Sequence, residues 1–163
     1  MSQPKDSKAR DMEFMLLARD QAAIGSSGGE GGPFGAVVVD AGGEVLAVGH
    51  NRVLAAHDAT AHAEVVALRL AGERLGSYDL SGCTLYTSCE PCPMCLAAAV
   101  WANISRVVYA CTRDDAAEIG FRDAAIYDYL GGRADAPFVI EELGREECLS
   151  VFEEYRRQQR QLY

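Results

Sequence analysis

Three evenly spaced cysteines, Cys89, Cys92 and Cys95, lie in the stretch Thr-Ser-Cys-Glu-Pro-Cys-Pro-Met-Cys that begins at Thr87. Pro93 presets φ where a helix would open, so the expectation is a strand, a tight turn, then a helix from about Cys92. Cys92 and Cys95 then sit three apart on the first turn and point the same way. A helix start, with its free N–H groups and positive dipole end, favours thiolate over thiol. Two convergent thiolates make half of a zinc site. Upstream, Ala61-His62-Ala63-Glu64 offers an imidazole and a carboxylate. His62, Cys92 and Cys95 would fill three positions of a tetrahedron and leave the fourth for water, the open arrangement of a catalytic zinc. Zinc brings the pKa of such water near neutrality. An unligated Glu64 beside it could move protons, a role worth about 10²–10⁴ in rate.

Two side chains two residues apart do not share a helix face. His62 and Glu64 can therefore serve one site only if it lies over the end of the helix that Ala61 begins. Other arrangements of the same residues are a closed structural cage of His62 with Cys89, Cys92 and Cys95, and a redox-active cysteine pair. The cage has no need of Glu64, and the redox pair leaves both His62 and Glu64 unexplained.

The rest of the chain must position these groups. Its 163 residues suit one domain over 1–163, and 49% apolar residues suffice for a core. Six cysteines, clustered rather than spread as a framework, fit metal chemistry in a reducing cytoplasm. Cys83, Cys111 and Cys148 are expected as small buried hydrophobes, and Trp101 as core. No apolar run is long enough for a membrane span, and Met1 to Arg10 lacks the apolar stretch of a signal peptide. A net charge of −9 argues against a polynucleotide partner, because neutralising phosphates dominates such binding. A small uncharged substrate fits better.

Patterning predicts a helix over 6–24 and a glycine-rich loop over 25–33 that lacks the spacing of a phosphate loop. Strands are expected at 34–39, 45–49, 84–87, 107–110 and 137–140. Helices are expected at 61–75, 92–102, 114–130 with a break at Gly120, and 146–159. A hairpin followed by alternating strands and helices implies an α/β protein, a mixed five-stranded sheet with helices on both faces.

Pro33-Phe34-Gly35-Ala36, His62-Ala63-Glu64 and the Thr87–Cys95 stretch resemble the cytidine-deaminase-like superfamily, whose fold is a three-layer α/β/α sandwich. Asp115-Ala-Ala-Glu-Ile-Gly-Phe-Arg-Asp-Ala-Ala-Ile-Tyr127 and Tyr163 are similar to its bacterial guanine deaminase branch. The resemblance implies one Zn²⁺ per chain on His62, Cys92 and Cys95, with Glu64 as proton shuttle and Asp123 in a further proton transfer. It implies that Phe34 stacks on a purine base, that Asn51 hydrogen-bonds it, and that Ala63 offers its backbone N–H. It also implies a homodimer that exchanges C-terminal segments, so that Tyr163 closes the partner's pocket. The implied reaction is hydrolytic deamination of a free purine base, guanine to xanthine and ammonia. Deamination of cytosine, an aminotriazine, a nucleoside or tRNA adenosine is the alternative, and a zinc-stabilised binding module the alternative of another class. Arg122 departs from the branch, which carries aspartate there.

Overall fold

The computed structural model describes residues 4–162. The chain forms two compact units, one ending at Tyr127 and one beginning at Asp128. The first unit opens with helix α1 (Pro4–Ser27), then the hairpin β1 (Gly35–Val39) and β2 (Val45–His50) and the single turn α2 (Val53–Ala56). It continues with α3 (Ala63–Leu75), β3 (Thr84–Cys89), α4 (Pro93–Trp101), β4 (Arg106–Cys111), α5 (Arg113–Glu118) and the start of α6 (Asp123–Leu130). The sheet order is β2-β1-β3-β4. β1 is antiparallel to both β2 and β3, while β3 and β4 are parallel, so the sheet is mixed.

Alternation along β1 builds the layers. Ala36 and Val38 point to one face, where they join Ala63, Ala67, Leu68 and Ala71 of α3, Leu85 of β3 and Ala99 of α4. Val37 and Val39 point to the other, where they meet Ala18 of α1 and Tyr86, with Phe14 and Met15 packed alongside. All five β1 residues are buried, as a central strand covered on both faces requires. The small residues of α3 let that helix lie close to the sheet. At Gly49 of β2 a Cβ would stand 2.9 Å from the Ala63 carbonyl oxygen, so only glycine admits the start of α3 there.

The sheet has four strands among the described residues, where five were expected. Residues 137–140 form none. Pro137 has no N–H to give a ladder, and Phe138, Val139 and Ile140 are exposed. Gly120 does break the 114–130 region, at φ 100°, into α5 and α6. Trp101 is also not core: it is 64% exposed at the last residue of α4. Cys83 is buried as expected, but Cys111 and Cys148 are exposed. The second unit carries α7 (Arg145–Arg157), which ends in Arg156 and Arg157, the cations favoured at a helix C-terminus. Among the described residues no helix is long and apolar enough to cross a membrane.

Candidate active site

One end of the sheet gathers the chemistry. Phe34 immediately precedes β1, Asn51 follows β2, Cys92 follows β3 and Arg113 follows β4. Two bonds continue the ladder past its regular end: Asn51 N–H donates to Phe34 O at 3.0 Å, and Glu90 N–H to Cys111 O at 2.8 Å.

His62 and Cys92 are the N-caps of α3 and α4, both with extended backbone, and Cys95 lies on the first turn of α4. Two helix N-termini therefore converge on one spot, which favours negative charge there. His62 Nδ1 lies 3.5 Å from Cys92 Sγ and 3.6 Å from Cys95 Sγ. Nitrogen and sulfur ligands of a tetrahedral zinc, with bonds near 2.05 and 2.3 Å, stand about 3.6 Å apart. The donor set and its spacing both fit zinc. All three ligand atoms lie within 4.8 Å of one another, and both cysteines are buried. The Cys92 thiol is held far down, to about 4, by hydrogen bonds from Cys95 and His62, while Cys95 is pushed up as the donor of the pair. The Cys92 sulfur in turn raises the pKa of His62.

Cys89 stands apart from this group. Its Sγ donates to Thr112 O at 3.5 Å, and burial pushes its thiol up to about 11. The closed cage with Cys89 is therefore not the arrangement formed.

Glu64 is in the first turn of α3 and only 6% exposed. Burial raises its pKa, against a hydrogen bond from its own backbone N–H. Over the helix end, it shares with His62 and Cys92 a cavity of about 450 Å³ that also receives Phe34, Asn51 and Asp123. Asp123 opens α6, and its pKa is raised by burial and then by the nearby Cys92. Asn51 is buried, and its Oδ1 accepts from the backbone N–H groups of Gly32 (3.3 Å) and Val53 (3.1 Å). Two N–H donors on one atom settle which end is oxygen and leave Nδ2 as the group free for a ligand. Gly31 makes this possible by close approach, since a Cβ there would fall 2.0 Å from Asn51 Oδ1. Ala63 opens α3, so its N–H has no acceptor within the helix. Arg122 lines the same cavity. Tyr163 lies outside the described residues.

Three residues of the site escaped the sequence reading. Phe121 packs edge-on against Phe34, with ring centres 4.7 Å apart, and completes an aromatic wall. Thr87 Oγ1 bonds Glu64 Oε1 (3.3 Å) and Cys89 O (3.0 Å), which holds the Glu64 carboxyl from below. Glu90 lines the cavity and pairs with Arg113. Phe121 stood inside the Gly-Phe-x-Asp segment, which was a usable signal. Thr87 and Glu90 gain their roles only from folding.

The fold and the three ligands define a class, and the chain belongs to it: the cytidine and deoxycytidylate deaminase family, whose zinc-binding region matches residues 8–111. Within that class the chain is similar to guanine deaminases. It is 47% identical to the guanine deaminase of Bacillus subtilis over 88% of this chain and 92% of that protein. The crystal structure of that enzyme superposes with a TM-score of 0.87 at 43% identity, covering 93% of this chain and 97% of the other. The guanine deaminase of Nitrosomonas europaea matches with a TM-score of 0.61 at 36% identity over 76% of this chain and 66% of that one. The tRNA-specific adenosine deaminase of Haemophilus influenzae is 34% identical over 93% of this chain and 86% of its own length.

Proposed function

We propose that the chain hydrolyses guanine to xanthine and ammonia, working as one deaminase domain with a single zinc held by His62, Cys92 and Cys95. The observation that carries this is Glu64: a buried, unligated carboxyl that shares one cavity with the ligands His62 and Cys92, an aromatic wall and a free amide donor. A structural metal site needs none of these. When bound, zinc supplies the Lewis acidity that makes water a nucleophile at neutral pH.

The chain's own groups do the rest. The base lies against Phe34, whose ring Phe121 holds edge-on. Asn51 Nδ2 donates to an acceptor on the base, and the Ala63 N–H to a second. Glu64 accepts the proton of the attacking water and delivers it to the ring beside C2. Glu64 or Asp123 then carries the proton of the new C2 hydroxyl to the departing amine, so that the C2 carbonyl forms as ammonia leaves. Water adds and ammonia departs, so the balance closes.

The proposed working unit is a cytoplasmic homodimer in which Tyr163 closes the partner's pocket. Free thiols throughout the described cysteines suit a reducing compartment. In α7, Val151 (68% exposed) and Phe152 (73%) present apolar surface that such an exchange would cover.

The test is ammonia release from the purified protein across guanine, adenine, cytosine, guanosine and adenosine in tRNA. Guanine should be turned over well above the others. Activity on tRNA or cytosine with none on guanine would overturn the assignment.

A further inference from the structure

Arg113 has no task in the reaction above, yet its backbone, its guanidinium edge and its guanidinium face are all engaged. Its backbone N–H donates to Glu90 Oε2 at 3.0 Å, and its Nη2 donates to Glu90 Oε1 at 2.6 Å. One residue thus occupies both oxygens of the Glu90 carboxylate. The guanidinium carbon lies 4.1 Å from the centre of the Tyr127 ring. The Tyr127 hydroxyl in turn donates to Pro91 O at 2.8 Å. Glu90, Arg113, Tyr127 and Pro91 so form a closed circuit.

What the circuit joins is specific. Glu90 and Pro91 are the turn that leads directly into the ligand Cys92. Tyr127 lies four residues after Asp123 on α6, so the two side chains share a helix face. A simple exposed ion pair would be worth little. Here the Glu90 side chain is only 16% exposed, and the guanidinium both pairs with it and stacks on a ring. Lysine can make either contact, but its compact ammonium lacks the planar fork that makes both at once.

We propose that Arg113 is a positioning residue: it locks the start of α6 to the turn before Cys92 and so fixes Asp123 at the reacting centre. The proposal rests on Asp123 being a proton donor in the reaction above. A misplacement of about 1 Å in a reacting group can cost about 10²-fold in rate.

The experiment compares Arg113→Gln, Arg113→Lys, Asp123→Asn and the double variant Arg113→Gln/Asp123→Asn, with guanine as substrate, zinc content measured, and hydrogen exchange of residues 123–127 followed by mass spectrometry. Arg113→Gln should lower kcat about 10–100-fold with KM within about threefold and zinc retained. Arg113→Lys should recover only part of the loss. In the Asp123→Asn background the Arg113 change should add less than about twofold. Amides of the first turns of α6 should exchange faster in Arg113→Gln, while those of α3 and α4 stay unchanged. An undiminished kcat, a fully additive double variant, or unaltered exchange in α6 overturns the proposal. Full turnover by Asp123→Asn alone would instead refute the role given to Asp123, and faster α6 exchange in Arg113→Gln would then still show that Arg113 holds that helix in the unaltered chain.

Discussion

Replacing Gly31 with alanine puts a defined steric load on the substrate amide. The new Cβ would stand 2.0 Å from Asn51 Oδ1 and 2.6 Å from the Asn51 carbonyl oxygen. The backbone of Asn51 is pinned by its bond to Phe34 O and by burial, so the side chain and the 31–32 loop must give way. That sacrifices the bonds from Gly32 and Val53, about 1 kcal/mol each. Overpacking adds about 1–3 kcal/mol. Partial relaxation leaves a cost of about 2–4 kcal/mol, and a chain of this length loses about 2–4 °C in Tm per kcal/mol. The amide also leaves its place in the pocket, so kcat/KM for guanine should fall at least about tenfold. Zinc content should not change, because neither α3 nor α4 is touched. Thermal unfolding, metal analysis and steady-state kinetics read the three quantities. Gly29→Ala is the control: φ is +69° but no atom lies within 4 Å. It should cost about 1 kcal/mol in stability and leave kinetics alone. Wild-type Tm and kcat/KM in Gly31→Ala would show that Asn51 is not held as described.

Glu64→Gln should keep zinc and fold while losing at least about 10²-fold in turnover; near-normal activity would remove it as the proton carrier. Metal analysis should find about one zinc per chain, lost in His62→Ala, Cys92→Ala or Cys95→Ala and kept in Cys89→Ala. Loss in Cys89→Ala would favour the closed cage. Deleting Leu162 and Tyr163 should raise KM or lower kcat severely with zinc unchanged, whereas kinetics matching the full chain would dismiss the tail as a lid. Far from the site, bonds from Arg106 and Tyr86 hold the Asp11 carboxyl down to about 2. A depressed folded pKa gives stability that is present above the unfolded value of about 4 and lost as pH falls toward 2. Asp11→Asn should therefore flatten the fall of Tm between pH 4 and 2, and an unaltered acid limb would count against the pairing.

The zinc half of the site was legible because its determinants are local. Pro93 sets the start of α4, the three-residue spacing aligns Cys92 with Cys95, and the two-residue spacing of His62 and Glu64 forces the site over a helix end. The layers were legible too, since β1 is apolar throughout and strands alternate with segments that carry few breakers and suit helices. Exposure was harder. Trp101, Cys111 and Cys148 have the composition of core but lie at the end of α4, at the end of the edge strand β4 and on α7, positions that residue type does not encode. The apolar run at 137–140 looks like a strand to any local pattern, but pairing is a property of a neighbour, and none takes it. Thr87 is indistinguishable in sequence from any strand threonine until α3 brings Glu64 to it across 23 residues.

The match to the family's zinc-binding region ends at residue 111, and Arg113, Phe121, Asp123 and Tyr127 come after it. The zinc ligands, Glu64, Phe34 and Asn51 thus lie within that match, and the remaining side of the cavity, with Phe121 and Asp123, lies on the stretch that follows. The metal ligands and Glu64 hang from helix starts braced by the sheet core, where a substitution is costly. The stretch after the match is two short helices joined at Gly120, which bring Phe121 and Asp123 to the cavity. Such a division lets one side of the cavity be reshaped for new bases within some fifteen residues (about four turns of helix) while the zinc ligands and Glu64 stay, so long as Asp123 and the contacts that hold it are kept.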